Sequence, residues 1–275
     1  MTQAVQAGAT IRQLQAALPL DPLENRILLC HALGLPRVAL ITQSERALGA
    51  DEAARLDALV QRRLDGEPIA YIVGEREFFG LPFRVGPGVL IPRPDTELLV
   101  ELALERLPPQ GRLLDMGTGS GAIAVACAHT RRDAAVTALD LSEDALAIAR
   151  ANAAANGVAV RFLHSDWFAA VSGERFDLIA SNPPYIAAGD AHLAQGDLRF
   201  EPAGALTDHA DGLSALRSIV AGAPAHLEAG GWLLLEHGYD QAAAVRGLLE
   251  GGGFHEVQSW RDLAGIERVS GGRLS

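Results

Sequence analysis

The chain has 275 residues, a formal net charge of −11 and two cysteines, and every one of its 23 Lys/Arg positions is arginine. Without lysine there is no Walker-type phosphate loop, no Schiff-base or pyridoxal chemistry and no Ser-x-x-Lys acyl enzyme. The acidic balance argues against nonspecific affinity for nucleic acid or an anionic membrane surface.

With 49% hydrophobic residues the chain can bury a substantial core. Cys30 and Cys127 lie far apart, so neither a disulfide framework nor a zinc knuckle is expected. Two thiols fit a reducing compartment, and the N-terminal residues have no basic, apolar leader pattern. No run of about 18 apolar residues is present, so no membrane span and a cytoplasmic location are expected.

The first segment reads as helical. Ile11, Leu14, Ala17 and Leu18 share one helical face. Asp21-Pro22 supplies an N-cap followed by proline at the first helical position, and Gly34 stops that helix. Val38 to Ile41 is a short helix or turn. Asp51 to Leu64 is amphipathic, with an acidic start and a basic end that suit the helix dipole. From Glu77 the texture changes. Two β-like runs flank Gly86-Pro87-Gly88, which predicts a hairpin turning there. Thr96 to Leu107 is helical with Asp95 as its N-cap. Strands are then expected at 112–114, 134–139, 160–163, 176–180 and 231–235. Helices are expected at 122–128, 143–156, 213–227 and 241–250. This alternation implies an α/β, mostly parallel sheet covered on both faces. The domains expected are residues 1–76, 77–93 as a β-hairpin linker, and 94–275. Residues 1–80 hold 8 Arg against 10 Asp+Glu, and residues 81–275 hold 15 against 24, so the acidic excess sits on the α/β part.

The strongest local signal is Leu113-Leu114-Asp115-Met116-Gly117-Thr118-Gly119-Ser120-Gly121, a short apolar strand entering a glycine-rich turn. Glycine is needed where backbone turns tightly and approaches a ligand. The pattern also fits the loose dinucleotide fingerprint. Asp115, just ahead of the loop, would repel a pyrophosphate and attract an ammonium or sulfonium, which favours S-adenosylmethionine over NAD. Asp140 ends the next strand, where a carboxylate can accept from both ribose hydroxyls. A bare glycine turn joining strand to helix would need neither carboxylate. Ser120 is no hydrolase nucleophile, because Thr118 and Ala122 stand where the elbow requires glycine.

Asn182-Pro183-Pro184-Tyr185 follows the strand that ends at Ser181, at the carboxyl edge of the sheet. Consecutive prolines remove two donors and fix φ, leaving rigidly aimed carbonyls. The Asn182 side-chain oxygen and the Pro183 carbonyl can accept both hydrogens of a substrate –NH₂, and Tyr185 offers an aromatic face. Such acceptors suit methylation of a conjugated, poorly nucleophilic nitrogen, in which positioning is the main contribution. In Ser165-Asp166-Trp167-Phe168, Asp166 can accept from an adenine amino group and Trp167 can pack on the ring. Phe168 reads as a core aromatic. The eight histidines show no metal-ligand spacing, and no metal is expected.

The chain resembles the release-factor glutamine N5-methyltransferases, the HemK/PrmC family. The likeness runs through Phe79 to Phe83, Leu90 to Glu97, Asp115 to Gly121, Ser165 to Phe168 and Asn182 to Tyr185. It continues through Arg199 to Pro202, Asp211 to Leu213, Glu236 with Gln241, and Asp262 to Arg268. Asn-Pro-Pro-Tyr alone is shared with adenine-N6 methyltransferases. Ile91-Pro-Arg-Pro-Asp-Thr-Glu97 is the specific part. The resemblance implies a class I S-adenosylmethionine-dependent methyltransferase fold: a Rossmann-like seven-stranded sheet preceded by a substrate-docking helical bundle and a hairpin linker. It implies S-adenosyl-L-methionine as cofactor, S-adenosyl-L-homocysteine as its product, and a monomer. The substrate would be the Gly-Gly-Gln glutamine of class I peptide chain release factors, with no nucleic-acid or membrane partner. Cofactor positions carry over onto Gly117 to Gly121, Asp140, Trp167 and Asn182, and glutamine-binding positions onto Asn182, Pro183, Pro184 and Tyr185. Asn182, Pro183 and Tyr185 would carry the catalysis. Arg93 and Glu201 are open between an ion pair fixing the linker to the sheet and a direct role in the site.

Three other readings remain. An adenine-N6 methyltransferase should carry a basic groove, which the acidic α/β part lacks. An NAD-dependent oxidoreductase leaves Asn182 to Tyr185 without a purpose. A non-catalytic adenosyl-binding regulator would be indifferent to loss of Asn182.

Overall fold

The computed structural model describes residues 5–275. Residues up to Gly74 form one compact unit and Glu75–Ser275 a second.

The first unit is helical: α1 (Ile11–Ala17), α2 (Pro22–Leu33), α3 (Ala39–Thr42), α4 (Ala50–Leu64) and α5 (Ile69–Val73). The capping signals act as expected. Asp21 accepts from the Leu23 amide and Gly34 closes α2 in the left-handed region. Thr10 and Gln13 form a capping box on α1. The apolar faces meet in one core containing Ile11, Leu28, Leu29, Leu40, Leu56 and Val60.

The second unit opens with the hairpin β1 (Glu75–Phe78) and β2 (Leu81–Arg84). Its turn is not at Gly86-Pro87-Gly88. Phe78 pairs with Leu81, so the loop is Phe79-Gly80, and both residues have positive φ (53° and 72°). Two left-handed residues match the twist of a two-residue hairpin. Phe79 pays for this geometry with an amide bond to Glu97 Oε1 at 2.9 Å. The expected boundary after residue 76 therefore falls inside β1, and buried Phe78 and Phe83 pack with Leu99 and Leu113 in the core of the second unit.

The remainder is a three-layer α/β unit. It comprises α6 (Thr96–Arg106), β3 (Arg112–Met116), α7 (Ala122–Thr130), β4 (Ala135–Asp140), α8 (Glu143–Ala155) and β5 (Arg161–His164). After these come β6 (Phe176–Ser181), α9 (Ala203–Leu206), α10 (Ser214–His226), β7 (Leu227–Glu236), α11 (Ala242–Gly251), β8 (Phe254–Arg261) and β9 (Glu267–Leu274). The seven strands lie in the order β5-β4-β3-β6-β7-β9-β8, parallel throughout except for β9. Central strands such as Leu178-Ile-Ala180 and Leu233-Leu-Leu235 are apolar on both faces because helices cover both. Helix α7 is apolar all round, and seven of its nine residues are buried. The last two strands were not foreseen: Phe254–Arg261 is a mixed polar run with two register irregularities.

One start signal acts differently from expectation. Asp95 precedes α6 in helical geometry and makes no capping bond with its side chain. A turn takes its place, with the Thr96 amide bonding Arg93 O and the Glu97 amide bonding Pro94 O.

Candidate functional site

Chain order reverses between β3 and β6, which makes a crevice at their carboxyl ends the natural ligand site. Their last residues, Met116 and Ser181, are paired in register, and Ser181 Oγ donates to the Met116 carbonyl at 2.7 Å. The glycine loop and Asn182-Pro-Pro-Tyr185 thus leave the sheet side by side. A cavity of about 450 Å³ opens there, within the usual range for a small-molecule site. A wider depression of about 690 Å³ spans the opposite ends of β4 and β5, where Glu174 pairs with both Arg112 and Arg161. It lies away from the loops and is no part of the site.

The cavity floor is built by the glycine loop. Gly117 and Gly119 line it with φ of 70° and 55°, backbone that L side chains rarely adopt. Thr118 turns inward: its amide bonds Leu139 O at 2.9 Å and its hydroxyl donates to Asp115 Oδ2 at 2.6 Å. Gly121 starts α7 at φ 84°, where an added Cβ would stand 3.1 Å from Ala149 Cβ. The third glycine is therefore a packing requirement between α7 and α8. Thr118, Ser120 and Gly121 do not line the cavity.

Asp115 also lies outside the lining, contrary to its expected place against the ligand. It is fully buried beneath the loop, accepting from Thr118 and from the Ala124 amide at 3.2 Å in the first turn of α7. Its Oδ1 has no hydrogen-bond partner. Burial, with a smaller push from the Asp140 charge, raises its pKa to about 7.

Asp140 does line the cavity. Its Oδ2 accepts from the Gly119 amide at 2.8 Å and its Oδ1 from the Ser142 amide at 2.9 Å. Two backbone donors fix the carboxylate and leave lone pairs on both oxygens for a diol. Asp166 and Trp167 form another wall. Trp167 holds φ at 45°, a strained value for a bulky residue. Ser165 braces this bend by donating to Trp167 O at 2.7 Å and accepting from the Ala170 amide at 3.0 Å. Phe168 turns away and stacks on His226 at 4.6 Å, as a core aromatic. Leu139, Leu141 and Ala145 add apolar surface suited to a purine.

Asn182 and Pro184 line the cavity, whereas Pro183 and Tyr185 stand behind them. Asn182 Nδ2 donates to Thr96 Oγ1 at 3.2 Å, which leaves Oδ1 as the end of the amide able to accept. Among the described residues no backbone hydrogen bond reaches the Pro183 carbonyl. Tyr185 is held at its own carbonyl by Gln241 Nε2 at 3.0 Å. Burial and the charge of Glu236 push its phenol well above the usual range.

Several site residues escaped the sequence reading. Val89 and Leu90 line the cavity from the segment after the hairpin, and Pro202, Gly204 and Ala205 from the segment after Glu201. Glu201, buried, holds these two segments together. Its pairing with Arg93 is the ion pair expected from the sequence, whereas the bond it accepts from the Ile91 amide at 2.9 Å was not foreseen. Asn152, fully buried on α8, bonds the Ser120 carbonyl at 2.8 Å and both backbone groups of Arg84. No single residue type in the sequence marks such a brace. Among the described residues no cluster of three potential metal ligands occurs.

The arrangement fits an adenosyl sulfonium cofactor. The cradle is glycine backbone, and beside it the Asp140 carboxylate, fixed by two backbone amides, keeps lone pairs for a diol.

Comparison with known proteins agrees. Residues 94–243 match the family model of the methyltransferase small domain, and residues 8–74 that of the PrmC N-terminal domain. A release factor glutamine methyltransferase of Burkholderia pseudomallei is 58% identical, over 97% of this chain and 96% of the relative. One from Neisseria gonorrhoeae is 54% identical, over 92% and 94%. The solved Thermus thermophilus 16S rRNA N2 G1207 methyltransferase, in complex with AdoMet and guanosine, superposes with a TM-score of 0.55 at 25% identity. That match covers 73% of this chain and 50% of that one. Near-full-length identity above one half, joined to a crevice of this geometry, places the chain in the release factor glutamine methyltransferase family.

Proposed function

We propose that this protein transfers a methyl group from S-adenosyl-L-methionine to the side-chain amide nitrogen of the Gly-Gly-Gln glutamine in peptide chain release factors. The observation that carries this reading is the pair of acceptors at the switch point: Asn182, whose Nδ2 is engaged by Thr96 so that Oδ1 is left to accept, and the Pro183 carbonyl, which no backbone hydrogen bond reaches among the described residues.

The bound cofactor supplies an electrophilic methyl on a positively charged sulfur. Asp140 would hold the ribose hydroxyls, Gly117 and Gly119 would admit the cofactor against bare backbone, and Asp166 with Trp167 would hold the adenine. An amide nitrogen is a poor nucleophile because its lone pair is shared with the carbonyl. Asn182 and Pro183 grip both of its hydrogens, orient the lone pair toward the methyl and favour positive charge building on nitrogen. The C–N bond forms as the C–S bond breaks, and the electron pair stays on sulfur. The cationic amide then gives up one N–H proton to solvent, so no strong base is required. Pro184, which lines the cavity, shapes the wall beside the amide, and Tyr185 packs on the core behind it. The helical unit docks the release factor, and the enzyme acts as a cytoplasmic monomer that binds neither nucleic acid nor membrane.

The test is transfer of labelled methyl to a purified release factor, with a factor whose Gly-Gly-Gln glutamine is replaced as control. Label on the first and not the second is expected. Labelling of the replaced factor, or of DNA, contradicts the reading. Asn182→Ala is expected to lower kcat at least about a hundredfold while changing cofactor affinity little.

A further inference from the structure

Asp211-Gly212-Leu213 and Gln241 have no part in the chemistry above, yet they meet at the carboxyl end of Asn182-Pro-Pro-Tyr185. The Gln241 side chain, at the start of α11, bonds three backbone segments at once. Its Oε1 accepts from the Gly238 amide at 2.9 Å, and its Nε2 donates to the Tyr185 carbonyl at 3.0 Å and to the Gly212 carbonyl at 3.2 Å. A backbone N–H only donates and a carbonyl only accepts, so these partners admit one orientation of the Gln241 amide. Gly212 is itself fixed, its amide bonding Asp208 Oδ1 at 3.0 Å. It stands so close that an added Cβ would lie 2.5 Å from the Tyr185 carbonyl oxygen and 2.9 Å from Gln241 Nε2.

The Tyr185 carbonyl and the Ile186 amide are the two ends of one planar peptide group. Gln241 holds the first, and Leu206 O accepts from the second at 3.0 Å. At the other end of the segment Ser181 is paired with Met116 and Leu235 in the sheet, and its hydroxyl donates to Met116 O. Between these anchors Pro183 and Pro184 have fixed φ and no amide hydrogen. So short and stiff a stretch, pinned at both ends, has little freedom left, and the direction of the Pro183 carbonyl depends on both anchors.

We propose that Gln241 is a positioning residue of the methyl-transfer centre. By clamping the Tyr185 carbonyl against the Gly212 turn, it aims the Pro183 carbonyl at the substrate –NH₂. The proposal rests on the reading of that carbonyl as one of the two substrate acceptors. Gln241, Gly212 and Gly238 stand outside the cavity lining, so a substitution at Gln241 leaves the groups assigned to the cofactor in place.

Two readouts on the full-length protein test this. The first needs no substrate: hydrogen exchange at the Ile186 amide, followed by NMR. Slow exchange is expected in the wild type. Exchange at least about tenfold faster is expected in Gln241→Glu, which keeps the volume and the acceptor for Gly238 but sets an oxygen against two carbonyls. The second is steady-state methylation of a release factor, with kcat counted per S-adenosylhomocysteine site titrated by calorimetry, so that unfolded chains do not enter. Gln241→Glu should lower kcat at least about tenfold, with KM for the release factor and S-adenosylhomocysteine affinity within about threefold of wild type. Gln241→Met removes all three bonds without adding charge. It serves if Gln241→Glu does not fold, and the same split between kcat and KM is expected. Wild-type exchange at Ile186, a smaller loss of kcat, or a loss of cofactor affinity equal to that of kcat overturns the proposal. A wild type that methylates no release factor refutes the preceding reading, and the exchange at Ile186 then decides the clamp by itself.

Discussion

Asp115 shows how much a single buried carboxylate is asked to do. It anchors the glycine loop through Thr118 and the start of α7 through the Ala124 amide, in a place where burial disfavours its charge. Its pKa rises from 3.8 to about 7. Between those values the folded protein keeps a proton that the unfolded chain has released. This contribution to stability is therefore full at low pH and is lost as pH rises through about 7. Glu236, raised from 4.5 to about 7, acts in the same direction. Asp115→Asn keeps an acceptor for Thr118 and Ala124 and removes the titration. In thermal melts of the cofactor-free protein, its Tm relative to wild type should be higher at pH 8 than at pH 5. An offset equal at the two pH values would contradict the assignment. Asp115 stood out in the sequence as the carboxylate before a glycine loop, but its direction did not. A carboxylate at a strand end can face the ligand or the loop, and only the neighbouring Thr118 hydroxyl decides.

Loop, hairpin and α8 meet at Asn152, whose side chain satisfies Arg84 N, Arg84 O and Ser120 O within a fully buried setting. Asn152→Ala leaves those backbone groups without partners, at a cost of about 2–3 kcal/mol. Urea unfolding should register that loss, together with weaker binding of S-adenosylhomocysteine as the loop loosens. Undiminished stability would show that water replaces the side chain. The alternation of strands and helices from Thr96 onward was legible because buried parallel strands are short apolar runs and the helices between them have marked ends, such as Ser142 capping α8. The hairpin turn was not. Gly86-Pro87-Gly88 looks like a turn by residue type, whereas the real one places Phe79 at positive φ, a choice stabilised by Glu97 eighteen residues on. Strands β8 and β9 were also missed, since Phe254–Arg261 takes its place by pairing with β9 rather than through apolar alternation.

At the scale of the whole molecule, the sheet order brings two separate sequence signals to one crevice. Met116 and Ser181 are 65 residues apart in the chain and paired in the sheet, so the glycine loop and the Asn-Pro-Pro-Tyr segment open on the same cavity. The sequence identified both segments and the chemistry of each. It did not reveal the long-range ties behind them, from Glu201 to Ile91 and from Asn182 to Thr96, because each joins residues about 90 to 110 positions apart. The absence of lysine and the charge of −11 suit the same picture. The cofactor brings the positive charge, and the protein contributes acceptors. The most direct measurement is fragmentation mass spectrometry of a release factor incubated with the enzyme and S-adenosylmethionine. One added methyl on the side chain of the Gly-Gly-Gln glutamine is expected. A methyl on any other residue, or an unmodified glutamine after the cofactor has turned over, would contradict it.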